Sequence, residues 1–522
     1  MANTKIFASA STGASRRAQA ADTVNLAGGR AYAMSDKAAL AQMAVTGVFN
    51  DTYYSSGAQQ LDDIKALVAK VDTKFLAKLA LYARQKAYMK DLPAYLCAVL
   101  AERDISRLAV IFDRVIDNGK MLRNFVQMIR SGQAGRRSLG TRPKKLVAAW
   151  LNKATDAQLL AASVGNSPSL ADVIKLCHAK ASTPQRDAFF KYLLGRPVEQ
   201  AALPELVRSL EAFRRGESMV LPKVPFELLT SLPLSKADWE QIARQASWTQ
   251  TRMNLNTFQR HGVFDSREMV QLVANKLRDA EQIAKARVFP YQLLAAYLNV
   301  NDGMPSAITN ALQDAMELAV ANVPSFEQEV AVLVDTSGSM SNPVTGYRVG
   351  ASSKVRYVDV AGLFASAVLR RNTDALVVPF DTKVHAARLN ARDAVVTNAQ
   401  KLARFGGGGT NCSMALQHLN EVRAQAELVV FVSDNESWAD TARRGSKATA
   451  VMDQWSTYKR RVPSARLVCI DISPNATTQA KERRDILNVG GFSDEVFNIV
   501  NLFARGELTA EHWVGEIDKV VL

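Results

Sequence analysis

Val330-Ala331-Val332-Leu333-Val334-Asp335-Thr336-Ser337-Gly338-Ser339-Met340 is the stretch whose reading decides the fold. Apolar and small residues run without alternation into Asp335, which is the pattern of a strand buried on both faces of a parallel sheet. At its end, Asp335, Ser337 and Ser339 place oxygen-bearing side chains on alternate residues. Ligands of open α/β sheets bind outside the carboxyl ends of the strands, so the placement carries information as well as the residue types. Oxygen-only ligation suits a hard divalent cation such as Mg²⁺. Two later stretches can complete the set. Phe405–Asn411 is a glycine loop that brings Thr410 to the start of a helix running from Cys412 to about Val422. Leu428–Ser433 is a second continuous apolar run, ending in Asp434.

Asp-x-Ser-x-Ser, then Thr, then Asp, with the outer two sets each ending a buried strand, resembles the metal-ion-dependent adhesion site of von Willebrand factor A domains. The expected metal ligands are Asp335, Ser337, Ser339, Thr410 and Asp434. Taken alone, Asp335 and Ser339 also read as turn or helix-cap residues. Thr410 and Asp434, arriving at loop and strand ends in the right order, favour the site.

Outward from this stretch toward the C-terminus, strands and helices alternate. Helices are expected over 354–371, 394–403, 446–461, 494–503 and 510–520. Strands are expected over 375–380 and 466–472, with a short partner near 384–389. This order predicts a doubly wound, mostly parallel sheet. Toward the N-terminus the character changes near residue 326, after the turn Asn322-Val323-Pro324-Ser325. From about Val24 to Ala321 one helix follows another, among them 61–71, 74–86, 93–101 and 185–194, and no strand is expected. Many helices of this length at near-regular intervals predict stacked pairs, an α-solenoid of the HEAT kind. The expected domains are a flexible leader over 1–22, a helical domain over 23–326 and an α/β domain over 327–522.

Charge follows this division. Of 65 Lys+Arg and 50 Asp+Glu, residues 1–326 hold 42 and 28, and residues 327–522 hold 23 and 22. The excess thus lies almost wholly in the helical half (+14 against +1), which suggests a polyanion partner there, nucleic acid foremost. Within that half, Met128–Lys145 joins Arg130, Arg136, Arg137, Arg142, Lys144 and Lys145 with three glycines and a proline, and no acid interrupts it. A glycine-rich basic loop can lay amides and cations against phosphates. Leu176-Cys177-His178-Ala179-Lys180 ends a helix, where His178 and Lys180 can also serve simply to offset its dipole. The four cysteines, Cys97, Cys177, Cys412 and Cys469, are isolated within apolar patterns and read as buried thiols of a reducing compartment. With no apolar run approaching the ~20 residues of a membrane span, a cytoplasmic protein without membrane attachment is expected.

Both halves together resemble the Ro ribonucleoprotein autoantigen family, the TROVE-domain proteins, and its bacterial orthologues. The resemblance rests on Asn25-Leu26-Ala27-Gly28-Gly29, Val45–Tyr54, the basic segment Met128–Lys145, Leu176–Lys180, Lys285–Pro290, and Ser433-Asp434-Asn435-Glu436. It implies a closed ring of HEAT-like repeats joined to an A domain. It further implies a monomeric, non-catalytic scaffold that binds Y RNA on the basic surface and takes single-stranded 3′ ends of misfolded RNA. Through Y RNA, such a scaffold would serve a 3′ exoribonuclease such as polynucleotide phosphorylase in RNA quality control and degradation. The implied RNA contacts are Arg130, Arg136, Arg137, Lys144, Lys145, His178 and Lys180. Cys177 and Ala181 depart from the family's Ser and Pro beside that histidine. Two other functions fit parts of the same sequence: a protein-adhesion adaptor acting through the metal site, and a metal-dependent nuclease. Against the nuclease, one cation held largely by hydroxyls lacks a carboxylate-rich two-metal cluster.

Overall fold

The computed structural model describes residues 18–522 apart from 48, 231, 287–289, 321–322, 349–352, 441–444, 492 and 509–510. Its strands are β1 (Thr23–Val24), β2 (Arg30–Ala33), β3 (Val330–Asp335), β4 (Leu376–Phe380), β5 (Leu428–Ser433), β6 (Arg466–Asp471), β7 (Thr477–Thr478) and β8 (Ile486–Gly490). Five of them form a parallel sheet in the order β4-β3-β5-β6-β8. The chain leaves β3 toward β4 and then returns to the other side of β3 to lay down β5. The order therefore reverses between β3 and β5, and that crevice is where open sheets bind ligands.

Why these strands carry no alternation is visible in the two cores. Val330, Val332, Val334, Val430 and Val432 point into one of them, and Ala331, Leu333, Val429 and Phe431 into the other. Helices Cys412–Glu421 and Ala450–Arg461 close the second face with Leu416, Leu419, Trp455 and Tyr458. The first face meets helix Tyr357–Arg371, and its core continues without a break into the helical half.

In that half helices pack mainly on the next but one: Thr73–Gln85 on Ile105–Val115, Asp91–Arg103 on Gly119–Arg130, Ile105–Val115 on Thr141–Lys153. Such two-layer stacking is the expected solenoid arrangement. Among the described residues, its two ends make their main contacts with the sheet domain. Asp36–Thr46 rests on β8 and on the C-terminal helix His512–Asp518, and Thr73–Gln85 on that same helix, while Pro290–Asn299 rests on Tyr357–Arg371 and Ser306–Ala319 on Val395–Leu402. The circuit closes through the sheet domain.

Several expectations are corrected. Strands do occur in the first half, because β1 and β2 pair antiparallel and β2 pairs with β7 of the second half. Of the leader expected over 1–22, residues 1–17 lie outside the described residues; the backbone of Ala21 already donates to the Lys447 carbonyl, and Gln19 accepts from the Tyr32 hydroxyl. The strand expected near 384–389 is a single bridge, Phe380 to Val384. β8 was not expected at all. All four cysteines are buried and unpaired. No helix among the described residues is long and apolar enough to cross a membrane.

Candidate cation site and candidate nucleic-acid interface

The carboxyl ends of β3 and β5 bring together Asp335, Ser337, Ser339 and Asp434, Thr410 lies on the loop whose carbonyl accepts from the chain after β5, and all five expected metal ligands are buried. The Asp335 carboxylate accepts from the Ser337 amide at 2.8 Å and from the Ser433 hydroxyl at 2.6 Å. The Ser337 and Ser339 hydroxyls stand 3.3 Å apart. The glycine loop fits against this strand end closely: the Gly338 amide donates to the Gly408 carbonyl at 2.9 Å. A Cβ on Gly406, whose φ is +99°, would lie 1.6 Å from the Thr336 carbonyl oxygen. Backbone at that distance cannot yield to a side chain, so glycine is required there.

Electrostatically the site is incomplete. Burial pushes the Asp335 carboxyl upward, and the neighbouring Asp434 charge pushes it further. Asp434 is raised by its own burial. Among the described residues, neither carboxylate forms an ion pair with Lys, Arg or His. Two buried carboxylates without a counter-charge, flanked by hydroxyl oxygens, are a donor set that a hard dication would relieve. The residues therefore fit the divalent cation that their spacing implies.

Sequence reasoning missed the neighbours that complete this neighbourhood. Ser433 reads as the last residue of a strand, yet its hydroxyl orients Asp335. Glu436 is wholly buried, with its carboxyl pushed up to about 8 by burial and then by Asp434. Its partner is the Ala27 amide, at 2.9 Å, from the far end of the chain. The Asn25–Gly29 motif was visible in the sequence, but nothing in its composition says what it touches.

The basic residues occupy a different surface. Arg130 ends helix Gly119–Arg130, Lys144 and Lys145 lie in the first turn of Thr141–Lys153, and His178 caps Leu170–Cys177 in the left-handed region (φ 50°). Helix Leu170–Cys177 touches both of the others and so ties these positions into one tract. The Arg130 charge acts on Asp172, and the Lys144 charge on Cys177. Asn152 fastens the turn after His178: it donates to the Lys180 carbonyl at 2.9 Å and accepts from the Ser182 amide at 2.8 Å. Arg130, Arg137, Lys145, His178 and Lys180 are exposed, Lys144 is half-buried, and among the described residues none of them forms an ion pair.

Arg136 is different. Its guanidinium donates to the carbonyls of Ser138 (2.7 Å) and Ala101 (2.8 Å) and faces Glu102 at 3.5 Å. It holds the loop's shape rather than offering a free charge. Of the segment Lys285–Pro290, residues 287–289 lie outside the described residues.

Comparison with known proteins matches two family models to this architecture. "TROVE domain" covers residues 170–376, and "Ro60 vWA domain" covers residues 329–504. The chain carries a TROVE domain and a Ro60-type A domain. The Ro60-type match contains all five candidate cation ligands, and the TROVE match contains His178 and Lys180. A relative named RNA-binding protein RO60, from Deinococcus radiodurans, is 25% identical over 93% of this chain and 95% of its own length. A second of the same name, from Caenorhabditis elegans, is 21% identical over 52% of this chain and 43% of its own. The crystal structure of the Deinococcus radiodurans RO (RSR) protein superposes with a TM-score of 0.62 at 20% identity, over 91% of this chain and all of that one. That likeness shows the fold: a helical region followed by a parallel-sheet α/β domain.

Proposed function

We propose that this chain is a non-catalytic RNA-binding scaffold of the Ro type. One observation carries the reading: Arg130, Arg137, Lys144, Lys145, His178 and Lys180 converge from separate segments on one tract and form no ion pair among the described residues. Unneutralised cations on a rigid helical surface bind phosphates with little sequence preference. The names of the relatives, RNA-binding proteins, point the same way. On this reading the partners are structured RNAs of the Y class and single-stranded 3′ ends, delivered to a 3′ exoribonuclease such as polynucleotide phosphorylase, in the cytoplasm.

In the A domain, Asp335 and Asp434 would supply charge to a divalent cation, probed most directly with Mg²⁺, and Ser337, Ser339 and Thr410 would supply hydroxyl oxygens. When bound, the cation supplies charge neutralisation and a Lewis-acidic coordination face. The protein's own part is to hold the Asp335 carboxylate in one orientation through the Ser433 hydroxyl and the Ser337 amide. Two carboxylates among hydroxyls are a sparse donor set for the two-metal chemistry of nucleases.

The test is a gel-shift titration with a structured small RNA across a salt series. Neutralisation of several phosphates predicts a steep loss of affinity, on the order of 10²-fold or more between 50 and 200 mM salt. Reversing Arg130, Arg137, Lys144 and Lys145 to Glu together is expected to abolish the shift while thermal unfolding stays as in wild type. Affinity that ignores both salt and charge reversal sinks the proposal.

A further inference from the structure

Two motifs singled out in the sequence, Asn25–Gly29 and Val45–Tyr54, belong to the N-terminal part of the chain yet have no place in the basic tract. The structure puts both at the carboxyl edge of the A-domain sheet. The first forms a finger on the loop after β5. Asn25 donates to the Ser437 carbonyl at 2.8 Å, and its own carboxamide oxygen accepts from the Gly29 amide at 2.7 Å. Ala27 donates to the Glu436 carboxylate at 2.9 Å. The fit at Gly29 leaves no room, since a Cβ there would lie 1.9 Å from the Ser437 carbonyl oxygen.

The second motif is fastened to the loop after β3. Asn50 donates to the Thr345 carbonyl at 2.7 Å, and the Tyr347 amide donates to the Asp51 carbonyl at 2.7 Å. Gly346 (φ +64°) leaves space for that approach, because a Cβ would lie 2.7 Å from the Asp51 carbonyl oxygen. The segment then runs to Tyr54, whose phenol is pushed up by burial and further by the Asp434 and Glu436 charges. Tyr54 is half-buried in this position, and Tyr53 covers it edge-on at 4.8 Å.

We propose that Asn25–Tyr54 is a built part of the cation site, so that cation binding and docking of this segment are one coupled equilibrium. The Ala27 amide holds Glu436 away from competing for the cation's place beside Asp434. With a dication present, the surplus negative charge at Asp335 and Asp434 is neutralised and the loops after β3 and β5 hold the geometry that the segment fits. Without it, mutual repulsion of the carboxylates loosens both loops at once. Linkage makes the effect reciprocal: lifting the segment weakens the cation by the same factor that removing the cation loosens the segment. The inference rests on the cation reading of the site.

The experiment uses the full chain, MgCl₂ and MnCl₂ as probes, and two readouts. Amide hydrogen exchange over residues 25–54 is compared in excess Mg²⁺ and in EDTA; removal of the metal is expected to speed exchange there at least tenfold and to leave helix 73–85 unchanged. Calorimetric titration gives the cation affinity directly. Gly29→Val, which cannot seat on Ser437, is expected to weaken Mn²⁺ binding about tenfold, and Asn25→Ala about threefold to tenfold, the range of one lost hydrogen bond. Wild-type protein that binds Mn²⁺, with exchange over 25–54 the same within twofold in both conditions, overturns the coupling alone. Wild-type protein that binds neither metal overturns the cation site and the coupling with it.

Discussion

Asp335 carries a carboxylate to a point with no exposed surface, next to a second carboxylate, and the sign of its energetics follows. Its carboxyl is pushed up to about 7, against a value near 4 in the unfolded chain. A carboxyl raised on folding favours the folded state while protonated and opposes it once ionised. In EDTA, stability is therefore lost as the pH rises from about 4 toward 7 and stays lost above that. Asp335→Asn keeps the shape and removes the charge. It is expected to be more stable than wild type in EDTA at pH 8 by about 1–3 kcal/mol, a gain that shrinks toward pH 5. Urea unfolding at the two pH values checks this; equal stability of the two proteins at pH 8 refutes it. In Mg²⁺ the order should reverse, since only wild type gains the ion's binding energy. A similar division separates two adjacent arginines. Arg136 holds the Ala101 and Ser138 carbonyls, whereas Arg137 is exposed. Arg136→Ala is expected to cost about 1–3 kcal/mol of stability, and Arg137→Ala almost none while weakening RNA binding; thermal unfolding beside gel shifts distinguishes them.

Between helices, the turn after His178 depends on one side chain of a neighbouring element. Asn152 accepts and donates across it, and without Asn152 nothing else described holds the Lys180 carbonyl. Asn152→Ala is expected to cost about 1 kcal/mol of stability and to lower RNA affinity several-fold by releasing His178 and Lys180. Unchanged affinity would place the contacts elsewhere on the tract. This dependence was not legible in the sequence, whereas the long elements were. β3 and β5 are six-residue apolar strands buried on both faces, and that pattern has few other readings. β8 escaped because Asn488, buried and bonded to Thr478 at 2.6 Å, interrupts its apolar run. β1 and β7 span two residues each, too few for any period to show. Local pattern reports which face of an element is buried. It does not report a partner four hundred residues away, and so Ala27 could be read as part of a family signature but not as the neighbour of Glu436.

At the scale of the whole chain, the division drawn in the sequence at residue 326 separates composition more cleanly than it separates contacts. β7 finds its strand partner in β2, Tyr32 is buried in the core of the second sheet face, and Asn25 and Ala27 fasten the loop after β5. The buried Trp513 indole donates to the Tyr82 hydroxyl at 3.0 Å, joining the last helix to the third of the N-terminal half. One face of the sheet, covered by Tyr357–Arg371, shares its core without a break with the N-terminal helices. An excised fragment 327–522 would therefore expose apolar surface that the full chain buries and leave Glu436 without its amide partner. It is expected to unfold well below the full-length protein, with weakened near-UV circular dichroism and with dye binding typical of exposed apolar surface. A fragment beginning at 18 and joining residues 18–56 to 327–522 restores β1, β2 and the finger at Asn25–Gly29, and is expected to recover part of that stability. Were the short fragment to melt cooperatively within a few degrees of the full chain, the N-terminal segment would be an ornament on a self-sufficient A domain, and the closure of the circuit through the sheet would contribute nothing to holding it.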